Sequence, residues 1–439
     1  MNDVKRVGIL HLSDLHAGLL NQELLWPNLK EVLFSDIDTL HRAAGAWEFV
    51  LFSGDFAQKG LDDEFEQALA RLIDLWGCFK RLGFNPQLIC VPGNHDVVRP
   101  DPKLPEVRVL RRWFDEREIW EDFFADPQST YRLKLQTAFG GYRKFLEDLA
   151  ASSIPLASVE TGIFPGDQIT RLEANGISLG ALTLNSTWLQ LTGEDLKGRL
   201  AVDLRQAHAL KPDLGNWCSH NHFNLIVTHH PVDWLHRENL EIWNREIYPA
   251  GRFDIHLFGH MHEPYSETRS MSGGATRVSM QAPSLFGMEV LGDGVTERIH
   301  GYTLLSFERV GDQRAIEVWP RRLLRHESGQ DRFVPDQKYL LQEDRYFRIE
   351  LASRGVDERP GPERERVLLL DAAADDQQER DVLRPLKYHL SRSSAHGHVR
   401  HPEQRQCLDA IESDRAFWLV AEWGLGGDEL PPVSTGQSA

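Results

Sequence analysis

Five short polar clusters in this chain carry residues able to do chemistry, and each follows an apolar run. Asp14-Leu15-His16 sets a carboxylate and an imidazole two residues apart, on one side of extended backbone, where they can share a cation. Gly54-Asp55 adds a second carboxylate at a turn where glycine permits close approach. Gly93-Asn94-His95-Asp96 offers three functions in a row. Asn94 has an amide oxygen for a metal, His95 an imidazole suited to proton transfer or to a hydrogen bond with a phosphate oxygen, and Asp96 a carboxylate able to fix that imidazole's orientation. His229-His230-Pro231 and Gly259-His260-Met261-His262 supply further imidazoles, the last pair again two apart. One histidine among the chain's nineteen is ordinarily a hydrogen-bonded or solvated side chain. The combination is another matter. Asp14, His16, Asp55, Asn94, His229, His260 and His262 are the oxygen and nitrogen donors that two cations about 4 Å apart require, with Asp55 as the bridge. Such a pair clamps a phosphoryl group and lowers the pKa of a bound water, so the implied reaction is phosphoester hydrolysis. With no thiolate in the set, Mn, Fe and Zn are all suitable as divalent or trivalent ions. His230 has no place in this set.

The elements that must position these residues are short. Apolar runs at 7–13, 49–53, 88–92, 225–228 and 255–258 have strand length, and near-continuous apolarity fits strands buried on both faces. Between the second and third, Phe65, Leu69, Leu72, Trp76 and Phe79 fall at helical spacing, which predicts a helix over 61–82 ended near Gly83. Strand, helix, strand implies a layered α/β core, in which ligands gather beyond the carboxyl ends of the strands. A further strand is expected at 177–184 and a helix at 205–210. Strands at 277–281, 301–309 and 315–319 are expected to form a second, mainly antiparallel sheet. Residues 100–150, rich in aromatic and charged side chains, read as a helical insertion that packs on the core or caps the site, with Arg108, Arg111 or Arg112 toward a substrate phosphate.

Composition narrows the class. At 439 residues and 41% hydrophobic the chain can bury a large core, and a formal charge of −17 argues against a broad basic surface for nucleic acid. Cys78, Cys90, Cys218 and Cys407 form no close pair, so neither a disulfide framework nor a thiolate zinc site is expected. The first apolar run is too short for a signal peptide or membrane span, and the expectation is a cytoplasmic protein with no membrane partner.

Taken in order, Asp14-x-His16, Gly54-Asp55, Gly93-Asn94-His95-Asp96, His229 and Gly259-His260-x-His262 resemble the calcineurin-like metallophosphoesterase superfamily over residues 6–320. The resemblance implies that Asp14, His16 and His262 hold one metal, that Asn94, His229 and His260 hold the other, and that Asp55 bridges them. It makes His95 the catalytic histidine beside the leaving group, with Asp96 in support. It implies a four-layer sandwich of two mixed sheets flanked by helices. It also favours Mn²⁺ in assays and phosphodiesters, including cyclic nucleotides and nucleic acid, slightly ahead of phosphoproteins.

The expected organisation is a phosphoesterase domain over 1–325, a β extension and charged linker over 326–384, and a last segment over 385–439. That segment contains the glycine turn Gly424-Leu425-Gly426-Gly427 after an apolar strand at 416–421. It resembles the opening of a divergent P-loop NTPase domain, though no lysine followed by Ser or Thr appears and Pro431-Pro432 interrupts the expected helix. Two alternatives to a free-standing enzyme follow. One is the effector domain of a regulated multidomain NTPase, some of which are antiviral; the other is a metal-binding scaffold without catalysis.

Overall fold

The computed structural model describes residues 4–262, 265–269, 276–287, 289–290, 296–297, 300–325, 331–353, 366–369 and 419–422. The chain divides into two compact units, Met1–Val356 and Asp357–Ala439.

The first unit is built on two sheets. In the first, β1 (Lys5–Leu12), β2 (Phe49–Phe52) and β3 (Gln87–Cys90) run parallel, joined through α1 (Gln22–Ala44) and α2 (Asp62–Arg81). The helices α3 (Pro105–Arg111), α4 (Trp120–Ala125), α5 (Thr130–Ala138) and α6 (Gly140–Ala151) fill the region expected as a helical insertion. The second sheet contains β4 (Glu160–Thr161), β5 (Gln168–Ala174), β6 (Ile177–Thr183), β7 (Phe223–Val227), β8 (Ile255–Phe258), β9 (Tyr265–Arg269) and β10 (Arg277–Gln281). Here β6, β7, β8 and β10 are parallel neighbours, flanked by antiparallel β5 and β4 at one end and β9 at the other. Helices α7 (Leu204–Leu210), α8 (Leu214–Ser219) and α9 (Arg237–Ile242) lie in the connections on either side of β7. A small antiparallel ladder joins β11 (Glu289–Val290) to β12 (Thr296–Glu297).

The expected second antiparallel sheet is not a separate layer. The hairpin β13 (Gly301–Val310) and β14 (Gln313–Leu324) adds to the first sheet, with β13 antiparallel to β1 along Lys5 to His11, while β10 joins the second sheet beside β8. Both sheets are therefore mixed. Strands β15 (Arg332–Pro335) and β16 (Phe347–Leu351) also pair with β14, so residues beyond 325 belong to the same sheet as β1. In the second unit, β17 (Arg366–Leu369) pairs antiparallel with β18 (Leu419–Glu422). The glycine turn at 424–427 lies outside the described residues.

Alternation along β1 explains how the layers stack. Val7 and Ile9 face a core between the sheets that includes Phe49, Leu51, Leu225, Val227, Ile255, Leu257 and Phe307. Leu10 and Leu12 face the other way, into the cluster that holds Leu33 and Ile37 of α1 and Phe65, Leu72 and Trp76 of α2. On the second sheet, Leu182 and Ile226 join the same kind of outer layer with Ala207, Leu210 and Leu214. Helices, sheet, sheet and helices give the four-layer sandwich. Each fully buried Leu, Ile or Phe contributes about 1.5–3 kcal/mol, so these two faces dominate the folding energy.

Helix α2 is punctuated as its sequence predicts. Asp62, Asp63 and Glu64 crowd its positive end, where Glu64 Oε2 accepts from the Lys59 and Leu61 amides at 2.6 and 3.2 Å. Lys80 and Arg81 sit at its negative end. Among the described residues, no helix is long and apolar enough to cross a membrane.

Candidate metal centre

The five polar clusters converge because β1, β2 and β3 of one sheet and β7 and β8 of the other all end at the same rim. Asp14 and His16 follow β1, Asp55 follows β2, Asn94 follows β3, His229 follows β7, and His260 and His262 follow β8. Five of these residues hold left-handed backbone without being glycine: Asp14 at φ 55°, His16 at 48°, Asp55 at 60°, His260 at 76° and His262 at 59°. Such conformations cost on the order of 1–3 kcal/mol each and persist where surrounding bonds impose them. Here the amides of Asp14, Leu15, His16 and Ala17 donate to the carbonyls of Gly54, Asp55 and Phe56 at 2.8–3.0 Å, lacing the first two turns together. Gly93 is required by space, since a Cβ there would lie 2.1 Å from Asp55 Oδ1.

The donor atoms form one unbroken run. Asp14 Oδ1 lies 3.4 Å from His262 Nε2 and 3.8 Å from His16 Nε2, and the two imidazole nitrogens are 3.1 Å apart. His16 Nε2 is 3.9 Å from Asp55 Oδ2, which is 3.3 Å from His229 Nε2. Asn94 Oδ1 stands 3.0 Å from His229 Nε2 and 2.9 Å from His260 Nδ1. Donors bound at about 2.0–2.2 Å to one ion sit roughly 3.0–3.5 Å from each other, and most of these spacings fall there. Asp14 Oδ1 is also buried, with no well-formed hydrogen bond and only the imidazole nitrogens of His262 and His16 near it, a costly state for a carboxylate unless a cation completes it. The residues thus fit two ions.

Electrostatics points the same way. Burial alone would raise the Asp14 and Asp55 carboxyls, but the neighbouring histidines outweigh it, His262 and His229 at Asp14, His229 and His95 at Asp55, and hold both below the usual range. Burial lowers His229, yet Asp55 and Asp14 overcome it and bring the imidazole up to about 9. The carboxylates demand positive charge beside them. Burial takes His16 down to about 4 and His260 to about 3, so both are neutral and ready to donate a lone pair. His229 Nδ1–H donates to the Ser53 carbonyl at 2.7 Å, which turns Nε2 toward Asp55 and Asn94.

His95 stands beside this run, its ring 4.9 Å from that of His16. Its amide donates to Asp55 Oδ1 at 2.7 Å and its Nδ1–H to the Gln58 carbonyl at 2.7 Å. That carbonyl, rather than Asp96, orients the ring. Asp96 instead braces the turn that presents Asp55. Its Oδ2 accepts from the Asp55 and Gly93 amides at 2.9 and 2.8 Å, and its Oδ1 from Ala57 at 2.9 Å. Arg111 pairs with Glu194, and Arg112 with Asp115 and Glu116, so both are engaged at the surface rather than turned to the centre. The motifs passed over Gln58, Ser53 and Ser186, whose parts here are played by carbonyl oxygens and by a hydroxyl that no spacing marks.

The family model for calcineurin-like phosphoesterases matches residues 7–264, more than half of the chain. The chain belongs to that family. No curated protein matches it in sequence. Similar solved structures include a purple acid phosphatase from yellow lupin, Lupinus luteus (12% identity, 77% of this chain and 55% of that chain, TM-score 0.38). A Haemophilus influenzae NAD nucleotidase is 10% identical, with 76% of this chain and 55% of that one covered and a TM-score of 0.37. A putative 5'-nucleotidase from Staphylococcus aureus is 12% identical, with 77% and 56% covered and a TM-score of 0.35. The chain thus spans little more than half the length of each.

Proposed function

We propose that the chain is a two-ion phosphoesterase that cleaves phosphodiester or phosphomonoester bonds with water. The observation that carries this reading is the position of Asp55 Oδ2 between two groups of donors, 3.3 Å from His229 Nε2 and 3.9 Å from His16 Nε2. Asp14, His16 and His262 would hold one ion with Asp55; Asn94, His229 and His260 would hold the other. When bound, the ions supply charge for the phosphoryl oxygens and make a bound water acidic enough to attack at neutral pH.

The chain's own residues do the rest. The strained turns fix the ligand atoms before substrate arrives, so little reorganisation remains for the reaction. His95 has its Nδ1–H committed to Gln58, which leaves Nε2 to face the substrate; as the imidazolium, the ring gives its Nε2 proton to the departing oxygen and returns to the neutral Nδ1–H form. Asp96 keeps Asp55 in place through three amides. Phosphate-ester substrates, nucleotides or nucleic acid among them, are the partners this chemistry serves.

The test is hydrolysis of bis-p-nitrophenyl phosphate and p-nitrophenyl phosphate with added Mn²⁺, comparing the parent with His95→Ala. Cleavage of the diester that falls at least a hundredfold in the variant, at unchanged ion content, supports the reading. A preference for the monoester moves the substrate class toward phosphomonoesters such as phosphoproteins. A protein that binds no ions refutes it.

A further inference from the structure

His230 follows a proposed ligand residue yet belongs to neither donor set, and buried groups hold both its backbone and its ring. The residue is 1% exposed. Its amide donates to Ser186 Oγ at 3.0 Å, its carbonyl accepts from Thr228 Oγ1 at 2.7 Å, and its Nδ1 lies 3.0 Å from the same Ser186 Oγ. Thr228 is in turn held by His256 Nε2 at 2.8 Å. Backbone and ring are thus fixed on three sides by buried groups.

The fourth side is bare. His230 Nε2 is buried and has no hydrogen-bond partner. The ring lies 4.4 Å from that of His260 and 5.0 Å from that of His229, and one nitrogen from each of the three lies within 4.8 Å of the others. Trp234 packs beside them, with its ring 5.3 Å from His230 and 4.1 Å from His260.

The hydroxyl of Ser186 decides which proton His230 carries. Ser186 Oγ already accepts from the His230 amide, and its single proton needs an acceptor. Among the described residues the acceptor in reach is His230 Nδ1. With Nδ1 accepting, the neutral ring carries its proton on Nε2, and a ring nitrogen that bears a proton does not ligate a metal. What the site then presents is a fixed N–H donor with no acceptor, beside the ligands of the second ion.

We propose that His230 is a further substrate-contacting residue, whose Nε2–H donates to a non-bridging oxygen of the phosphoryl group beside His229 and His260. This rests on the phosphoesterase reading above. It gives the centre a neutral donor for the anion in addition to the ions, and it assigns Ser186 the role of a positioning residue that sets the tautomer.

Two measurements on the full chain test it. Nitrogen-15 imidazole spectra, recorded with and without diamagnetic Zn²⁺ and assigned with His230→Gln, should show His230 protonated on Nε2; a bare Nε2 overturns the proposal. Titration of the ion-loaded protein with inorganic phosphate should then show affinity reduced about tenfold to a hundredfold in His230→Phe, which removes the donor. His230→Gln, whose amide N–H can replace Nε2–H, should recover most of it, and both variants should keep two ions. Loss of an ion in His230→Phe makes His230 a ligand and overturns the donor role. Unchanged phosphate affinity in that variant, beside a parent that binds phosphate, overturns the role of His230 alone. A parent that binds ions but no phosphate takes down the phosphoesterase reading as well.

Discussion

The amide nitrogen of His95 donates to Oδ1 of Asp55 at 2.7 Å, so the proposed proton donor and the proposed bridging residue are joined through backbone. Oδ2 of the same carboxylate faces His229 and His16. On the proposed reading, a shift of Asp55 moves the proton donor and both ion positions together.

That coupling sets the first expectation. Asp55→Ala should reduce bound Mn²⁺ from two ions to one or fewer by elemental analysis, and lower diester hydrolysis by on the order of a thousandfold. A variant that keeps both ions and works within tenfold of the parent would show that the bridge is misplaced.

Gly93→Ala tests the space beside that carboxylate. The new Cβ would fall 2.1 Å from Asp55 Oδ1 and 2.3 Å from its amide nitrogen, both of which are pinned. The expected outcome is a loss of about 1–3 kcal/mol in urea unfolding together with weaker ion binding. Gly140→Ala, where nothing lies within 4 Å, should be neutral or slightly stabilising. Equal effects from the two would contradict the steric argument.

Arg321 and Asp36 form a buried pair that ties α1 to the first sheet. Arg321 Nε donates to Asp36 Oδ2 at 2.9 Å, a second guanidinium nitrogen reaches Oδ1, and Tyr302 also donates to Asp36. Arg321→Met should cost about 3–5 kcal/mol, because it leaves a buried carboxylate without its cation, while adding Asp36→Leu should recover much of the loss. A single-variant cost below about 1 kcal/mol by denaturant titration would mean that water reaches the pair.

Cys90 gives a chemical readout of the core. Burial pushes its thiol up to about 12, and the Tyr142 hydroxyl donates to it at 3.6 Å. Peptide mapping after iodoacetamide treatment at pH 8 should find Cys90 unmodified in the native protein and modified in urea. Modification of the native protein within minutes would place an opening between α6 and β3.

How far the sequence reaches is shown by particular residues. The donors are legible because each is a polar residue at the end of an apolar run, where periodicity and glycine mark a turn. Sheet membership is not, because an apolar run such as 225–228 says that a strand is buried on both faces and nothing about which neighbour it pairs with. Hence β13 and β14 read as a separate layer from sequence, whereas the fold pairs β13 with β1. Helix α1 has no counterpart in the sequence reading, although Leu29, Leu33, Ile37, Leu40 and Ala44 bury one face of it. Pro27 inside its first turns reads as a breaker. The orientation of His95 escapes for another reason, since its partner is a backbone carbonyl that any residue at position 58 would supply.

One consequence follows from where the ligands come from. Asp14, His16, Asp55 and Asn94 belong to the rim of one sheet, and His229, His260 and His262 to the rim of the other. Each ion would then be gripped from both sides of the plane along which two stacked sheets slide, and act as a rivet through that plane. Hydrocarbon contacts alone resist such sliding weakly, because they carry no direction. Loading the ions should slow amide exchange at the ends of β1 and β8 together, and their release should require the two rims to part. Ion turnover would then be governed by the mechanics of the whole sandwich, with the residues at its lip following rather than leading.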